Sequence, residues 1–304
     1  MDKGLALIFP GQGAQYVGMG KDFFDTYPTA RFVFQEADEI LGTYLSKTIF
    51  EGPEEELTRT ENSQPGIFVV SMAILRVVKE QFPHLKPRMA GGLSLGEYSA
   101  LCAAEVFSFE EALKLVAARA QYMNEACEQK KGTMAVILGL APEAVEDISL
   151  ENLWVANYNC PGQIVISGSH SAIEKASTIA KEKGAKRVLP LSVQGAFHSG
   201  YMESAEKLLK ERIEETLFCT PRLEVAMNVP GTFVKNIEDI KRFLAHQVTH
   251  SVRWQYDIEA MDAKEPDLYV EMGPGKTLAG MNKKIGVKAP TISIEKVADL
   301  EQLG

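Results

Sequence analysis

Gly92-Leu93-Ser94-Leu95-Gly96 is a G-x-S-x-G pentapeptide. This is the pattern of a nucleophile elbow, a strained strand-to-helix turn that holds a serine hydroxyl at its tip. Glycine on either side lets the backbone turn tightly and keeps side chains away from an incoming acyl group. The helix that follows points amide N–H groups at developing negative charge. Ser94 is therefore the candidate nucleophile. An isolated pentapeptide of this kind also occurs as a plain glycine-rich turn, so its reading depends on what accompanies it.

A serine hydroxyl needs a base, and the chain has five histidines: His84, His170, His198, His246 and His250. His198, in Gly195-Ala196-Phe197-His198-Ser199, ends a strand-like run where a loop can hold it over a cleft. By itself it could equally be a histidine satisfied by local hydrogen bonds. A Ser-Asp-His hydrolase would place a carboxylate between serine and histidine. Acidic residues are plentiful there, but none falls in a recognisable motif. Arg119, in the apolar stretch VAARAQYM, is a third reactive feature, since a buried guanidinium needs a partner and its fork matches a carboxylate. A structural salt bridge and a ligand carboxylate both satisfy that need.

Composition narrows the function classes. The 304 residues suffice for one large α/β domain carrying an inserted subdomain. A net charge of −9 argues against nucleic acid as a partner, because phosphate binding needs a concentrated basic face. Cys102, Cys127, Cys160 and Cys219 are scattered without metal-ligand spacing, which predicts reduced thiols in a cytoplasmic enzyme. The opening MDKGLALIFPGQ is too briefly apolar for a signal peptide, and no apolar run reaches the ~20 residues of a membrane span. A soluble, intracellular protein is expected.

The elements that must position these residues are legible as alternating strands and helices. Gly4 to Phe9 reads as a buried strand broken by Pro10-Gly11-Gln12-Gly13-Ala14-Gln15. That loop lacks the Lys-Ser/Thr of a P-loop and the spacing of G-x-G-x-x-G, so it fits a backbone N–H donor better than a phosphate cradle. Helices are predicted over Pro28 to Leu41, Ile67 to Phe82 and Phe109 to Asn124, with Arg88 to Gly91 as the strand before the elbow and Glu97 to Val106 as the helix after it. The second of these helices is apolar nearly all round and should be deeply buried. Such alternation predicts a mostly parallel sheet covered on both faces.

From about Cys127 the texture changes. Strands at Thr133 to Leu140, Trp154 to Tyr158, Ile164 to Ser167 and Arg187 to Val193 interleave with helices at Pro142 to Ile148 and His170 to Lys183. This β-α-β-β-α-β order is the ferredoxin-like pattern. The expected fold is a large α/β-hydrolase-like domain, residues 1–127 and 197–304, with a ferredoxin-like subdomain, residues 128–196, inserted. The cleft between the two is the expected ligand site.

Six blocks carry a resemblance, in order along nearly the whole chain: FPGQGAQ at Phe9 to Gln15, GLSLGEYSAL at Gly92 to Leu101, the Arg119 helix, NYNCPGQIVISG at Asn157 to Gly168, GAFHS at Gly195 to Ser199, and EMGPGKTL at Glu271 to Leu278. Together they resemble the malonyl-CoA:acyl carrier protein transacylases. The resemblance implies a Ser94–His198 dyad, with His198 as general base oriented by a backbone carbonyl at Gln247 instead of a carboxylate. It implies that Arg119 holds the free carboxylate of malonate and that Phe197 crowds an α-methyl branch; Asn159 is a candidate to touch the acyl group, and an asparagine in a turn serves a structural role equally well. The N–H groups of Leu95 and Gln12 would form the oxyanion hole, a device contributing on the order of 3 kcal/mol per donor. Malonyl-CoA and acyl carrier protein would be the substrates in fatty acid synthesis, with neither metal nor redox cofactor required. The chain departs from the resembled family at Leu93, where most relatives carry histidine before the nucleophile.

Two rivals remain at this level: a thioesterase passing the acyl group to water, and a non-catalytic subunit that binds carrier protein. An acidic carrier docking on an acidic enzyme needs a local basic patch. Lys181, Lys183, Lys186 and Arg187 form one candidate cluster, and Lys283 with Lys284 a second.

Overall fold

The computed structural model describes residues 4–304. Its ten strands are β1 Leu5–Phe9, β2 Pro87–Gly92, β3 Thr133–Leu138, β4 Leu153–Cys160, β5 Gln163–Gly168, β6 Arg187–Pro190, β7 Glu224–Met227, β8 Thr232–Val234, β9 Leu268–Met272 and β10 Thr291–Ile294. They form a six-stranded sheet in the order β10-β9-β1-β2-β7-β8 and a four-stranded sheet in the order β4-β5-β3-β6. In the larger sheet every pairing is parallel except β7 with β8. The smaller sheet is antiparallel throughout.

Burial explains the sequence character of each sheet. Every residue of β1 is buried, as the apolar run LALIF requires of a strand covered on both faces. In β3 the side chains alternate, with Ala135 and Ile137 packed in the core of the smaller unit against the helix His170–Glu182. Segment 249–252 ties the two sheets together: Val252 pairs with Asn157 in a parallel bridge, and Ser251 Oγ donates to the Val155 carbonyl at 2.5 Å.

Two helices run longer than the sequence reading. The helix expected from Ile67 begins at Thr60 and continues to Gln81, carrying Pro65 inside it. Proline there loses one bond of the helical ladder, that to the Glu61 carbonyl, but its φ suits a helix and the surrounding side chains are buried, so packing outweighs the loss. The helix expected to stop at Asn124 runs from Phe109 to Gln129, started by a capping box between Ser108 and Glu111. The fourth strand of the smaller sheet ends at Pro190, three residues before the expected Val193. Among the described residues, no helix is long and apolar enough to cross a membrane.

Candidate active site

The elbow is built by strand order. Because β2 lies beside β1, the Leu93 N–H reaches the Phe9 carbonyl at 3.1 Å, and the chain turns immediately afterwards. A Cβ added to Gly92 would lie 1.9 Å from the Gly96 backbone, and one on Gly96 would lie 2.2 Å from the Phe9 carbonyl oxygen. Only glycine fits at either place. Ser94 sits at the tip with φ 51°, a left-handed conformation that costs a non-glycine residue on the order of 1 kcal/mol or more and persists only where surroundings impose it.

Asn228 imposes it. Its Oδ1 accepts from the Ser94 N–H at 2.8 Å, while its Nδ2 donates to the Gly92 carbonyl and to Asp257 Oδ2, both at 2.8 Å. Its own N–H donates to Glu97 Oε2 at 2.6 Å. Asn228, Glu97 and Asp257 are all fully buried. Burial pushes the Glu97 carboxyl up to about 8, and raises Asp257 well above its usual range with Glu97 adding to the effect. Glu97 is therefore mostly neutral at pH 7.

His198 meets the serine from the other side. Its Nε2 lies 2.8 Å from Ser94 Oγ, and its Nδ1 lies 2.8 Å from the Gln247 carbonyl. Like Ser94, it holds a left-handed backbone, φ 55°. Burial, reinforced by the Arg119 charge, holds the imidazole down at about 4, so the ring is neutral at pH 7. A neutral ring whose Nδ1–H donates to a carbonyl has its Nε2 lone pair free to take the serine proton. Among the described residues no carboxylate contacts the ring, so the arrangement is a dyad with a carbonyl third member.

Arg119 completes the cluster from the long helix Phe109–Gln129. It is 1% exposed. Nη2 donates to Ser94 Oγ and to Gln247 Oε1, each at 2.9 Å, and Nη1 donates to Gln64 Oε1 at 2.6 Å. The guanidinium also stacks over Tyr98, 5.6 Å from the ring centroid. Its Nε has no hydrogen-bond partner, and among the described residues no carboxylate forms an ion pair with it. Burial lowers its pKa, with Tyr98 and Glu97 acting in the opposite direction, yet a guanidinium does not give up its proton in a protein. A structural salt bridge to Arg119 thus has no partner among the described residues. A buried cation without a counter-charge is costly, and an anionic ligand would relieve that cost.

The cleft over Ser94 has a volume of about 320 Å³ and takes its walls from both sheets. Gln12, Arg119, Asn159, Phe197 and His198 all line it, as does Leu93. Asn159 is 7% exposed and its Oδ1 has no partner. Among the described residues, the N–H groups of Gln12 and Leu95 also meet no acceptor, so both remain available to an oxyanion. The Gln12 side chain is tied to Thr60 and Gln64, which fixes the first loop to the arginine network. A second cleft of about 390 Å³ lies elsewhere, lined by Met72, Cys102, Phe107 and Cys219. It holds no nucleophile–base pair, and burial pushes the Cys102 thiol up to about 12, which leaves it unreactive.

Sequence reading missed Gln64, Asn228, Glu97 and Asp257. Gln64 lies before the predicted helix start at Ile67, in the turn of the helix that carries Pro65. Asn228 and Asp257 belong to no motif, and Glu97 follows the elbow directly but reads as an ordinary helix-opening acid. For Gln247 only the backbone carbonyl was expected, yet the side chain also bridges Arg119 to the Ser94 carbonyl, to which its Nε2 donates at 2.9 Å.

Comparison with known proteins places this chain in a family. Residues 6–300 match the acyl transferase domain. The chain is 42% identical over 303 residues to the malonyl CoA-acyl carrier protein transacylase of Bacillus subtilis, covering 98% of this chain and 95% of that one. A crystal structure of an acyl carrier protein S-malonyltransferase from Vibrio cholerae superposes with a TM-score of 0.94 at 38% identity, covering 99% of both chains. A malonyl-transacylase in complex with its type II PKS acyl-carrier protein superposes with the same TM-score, 0.94, at 35% identity and 98% coverage of both. This chain belongs to the acyl transferase domain family, among the malonyl CoA-acyl carrier protein transacylases.

Proposed function

We propose that the protein moves a malonyl group from malonyl-CoA to the phosphopantetheine thiol of acyl carrier protein through a malonyl-Ser94 ester, supplying fatty acid synthesis. The observation that carries this reading is Arg119: a buried guanidinium with no carboxylate partner among the described residues, 2.9 Å from Ser94 Oγ. An acyl group ending in a free carboxylate provides the missing counter-charge, and acetyl or a long fatty acyl chain does not.

The steps follow from the contacts. His198 Nε2 takes the Ser94 proton as Oγ attacks the thioester carbon. The carbonyl oxygen gains the negative charge and receives the N–H groups of Gln12 and Leu95. Collapse of the tetrahedral intermediate breaks the C–S bond, and the proton on His198 goes to the departing coenzyme A thiolate. The carrier thiol then attacks the ester, giving its proton to His198, which returns it to Ser94. The Gln247 carbonyl carries no net charge, so it orients His198 without repelling the malonate carboxylate. Phe197 narrows the cleft beside the base against an α-methyl branch, and Asn159 offers an unpaired Oδ1 and its amide to the bound acyl group.

Residues 1–127 and 197–304 form the α/β-hydrolase-like catalytic domain in this reading, and residues 128–196 the ferredoxin-like subdomain; residues 1–3 lie outside the described residues. The antiparallel order β4-β5-β3-β6 supports the second assignment. Lys186 and Arg187 are exposed at the edge strand β6 beside Leu189, which is 44% exposed, and this basic edge is the docking site for an acidic carrier. Coenzyme A thioesters and carrier protein as substrates, with four free cysteines, favour a cytoplasmic location.

Intact-mass spectrometry tests the proposal. Malonyl-CoA should leave a malonyl adduct on Ser94 that holo-carrier protein removes far faster than water does. Removal by water at the same rate would make the protein a thioesterase, and no adduct at all would make it a binding subunit.

A further inference from the structure

His246 and His250 carry no role in the transfer reaction, yet they stand four residues apart at the end of the helix Ile237–His246. They face Glu206, on the helix Glu203–Glu214 that follows His198. One ligand atom from each of the three lies within 4.8 Å of the others. His246 Nδ1 is 3.3 Å from Glu206 Oε1, long for a charge-assisted hydrogen bond. It matches the edge of a tetrahedron of donors about 2 Å from a central ion, which is also about 3.3 Å. We infer that Glu206, His246 and His250 form a binding site for a divalent d-block cation of the zinc type, separate from the catalytic cleft.

Two further features support a built site. The groups are already oriented by outer contacts, as metal ligands are. Thr249 Oγ1 donates to Glu206 Oε2 and lies 3.0 Å from the His246 carbonyl, and His250 Nδ1 lies 2.8 Å from Thr249 Oγ1 and 2.9 Å from the His246 carbonyl. The ligand chemistry is also selective, since two imidazoles and one carboxylate suit zinc better than magnesium or calcium. His250 is exposed while Glu206 and His246 are half-buried, so an ion reaches the site from solvent and keeps room for water.

The position gives the ion a consequence. The His250 N–H donates to the His246 carbonyl at 3.1 Å and, less closely, to the Gln247 carbonyl at 3.4 Å. That second carbonyl is the one facing His198 Nδ1. A bound cation therefore cross-links the turn carrying the base's orienting carbonyl to the helix that begins just after the base. It acts as a staple on the dyad's scaffold and touches no substrate.

Zinc binding to the full-length, metal-stripped protein, measured by competition with a chromogenic chelator, tests the site. One zinc per chain is expected, with affinity falling about tenfold or more in His250→Ala and in Glu206→Gln. Zinc should also raise the thermal midpoint of the parent protein and not of either variant, by mass action on the folded state. Metal-free transacylase activity serves as the folding control for both. Cobalt substitution adds a second readout, because an N/O site shows no thiolate charge-transfer band. Unchanged affinity in both variants, a thiolate band from the cysteines, or no binding overturns the inference.

Discussion

Ser94 stands between two buried charge clusters that meet the cost of dehydration in opposite ways. On the cleft side is Arg119, 1% exposed, with uncharged hydrogen-bond partners. Outside the cleft lining, under the elbow, are Glu97 and Asp257, fully buried around Asn228. A carboxyl can escape the penalty by taking a proton, and Glu97 does so, with its pKa raised to about 8. A guanidinium has no such escape, so Arg119 stays charged, and in the proposed function a substrate carboxylate supplies its counter-charge. The lesson is that equally dry groups on the two sides of one turn can serve scaffold and substrate respectively, according to whether they can neutralise themselves.

The largest effect expected from breaking this arrangement is at its centre. Ser94→Ala should lower transfer by roughly 10⁴-fold or more and abolish the malonyl adduct in intact-mass spectra, since both clusters then surround a group that cannot attack. An undiminished adduct on the variant would mean that the nucleophile lies elsewhere.

Arg119→Ala tests the cleft side. Removing a buried partner of a substrate carboxylate costs about 2–5 kcal/mol of binding, so the ratio of malonyl to acetyl kcat/KM should collapse by at least about 30-fold. Acetyl transfer will also fall somewhat, because Ser94 Oγ loses a donor. Equal losses for the two acyl groups would reduce Arg119 to scaffold and erase the contrast with Glu97.

The charge on Arg119 also sharpens the comparison through pH. His198 is held down at about 4, first by burial and then by Arg119, so the acid limb of kcat/KM should fall near pH 4. In Arg119→Ala that limb should move upward toward 6.5, because the repulsion of the imidazolium is gone. A limb that stays in place would show that burial alone sets the base. The stability sign is separate: between about 6.5 and 4 the unfolded chain binds a proton that folded His198 refuses, so stability falls as pH falls through that window.

Glu97→Gln addresses the cluster under the elbow and gives the smallest change in transfer activity, its effect being read in stability. Folded Glu97 holds its proton between about 4.5 and 8. Its contribution is therefore fully present below 4.5 and lost as pH rises through 8. The glutamine variant, neutral at every pH, should match the parent's stability near pH 5 and exceed it at pH 9 by a few kcal/mol, on the order of the shift involved. Chemical denaturation at the two pH values reads this directly, and a parent curve already flat from pH 5 to 9 would mean that Glu97 is ionised throughout.

How much of this is legible without coordinates differs by residue. Ser94 announces itself because the elbow pattern is written within five residues: glycine at 92 is required by the local backbone of Gly96, and glycine at 96 by the neighbouring strand at Phe9. The alternation of strands and helices is equally local, and it predicts a parallel-rich sheet before any pairing is known. Gln64 escapes because the predicted helix starts only at Ile67, whereas packing of the apolar faces carries the helix through Pro65.

From the sequence alone come the turn of the candidate nucleophile, the order of strands and helices, and the neighbourhood of the candidate base in GAFHS. The tertiary structure decides which distant groups meet them. Asn228 reaches Ser94 across 134 positions only because β7 lies beside β2. Gln247 turns its carbonyl to His198 only because the segment after it is tied to β4. The charge states of Arg119, Glu97 and His198 are likewise decided by burial, a property of the folded whole that no single stretch of chain contains.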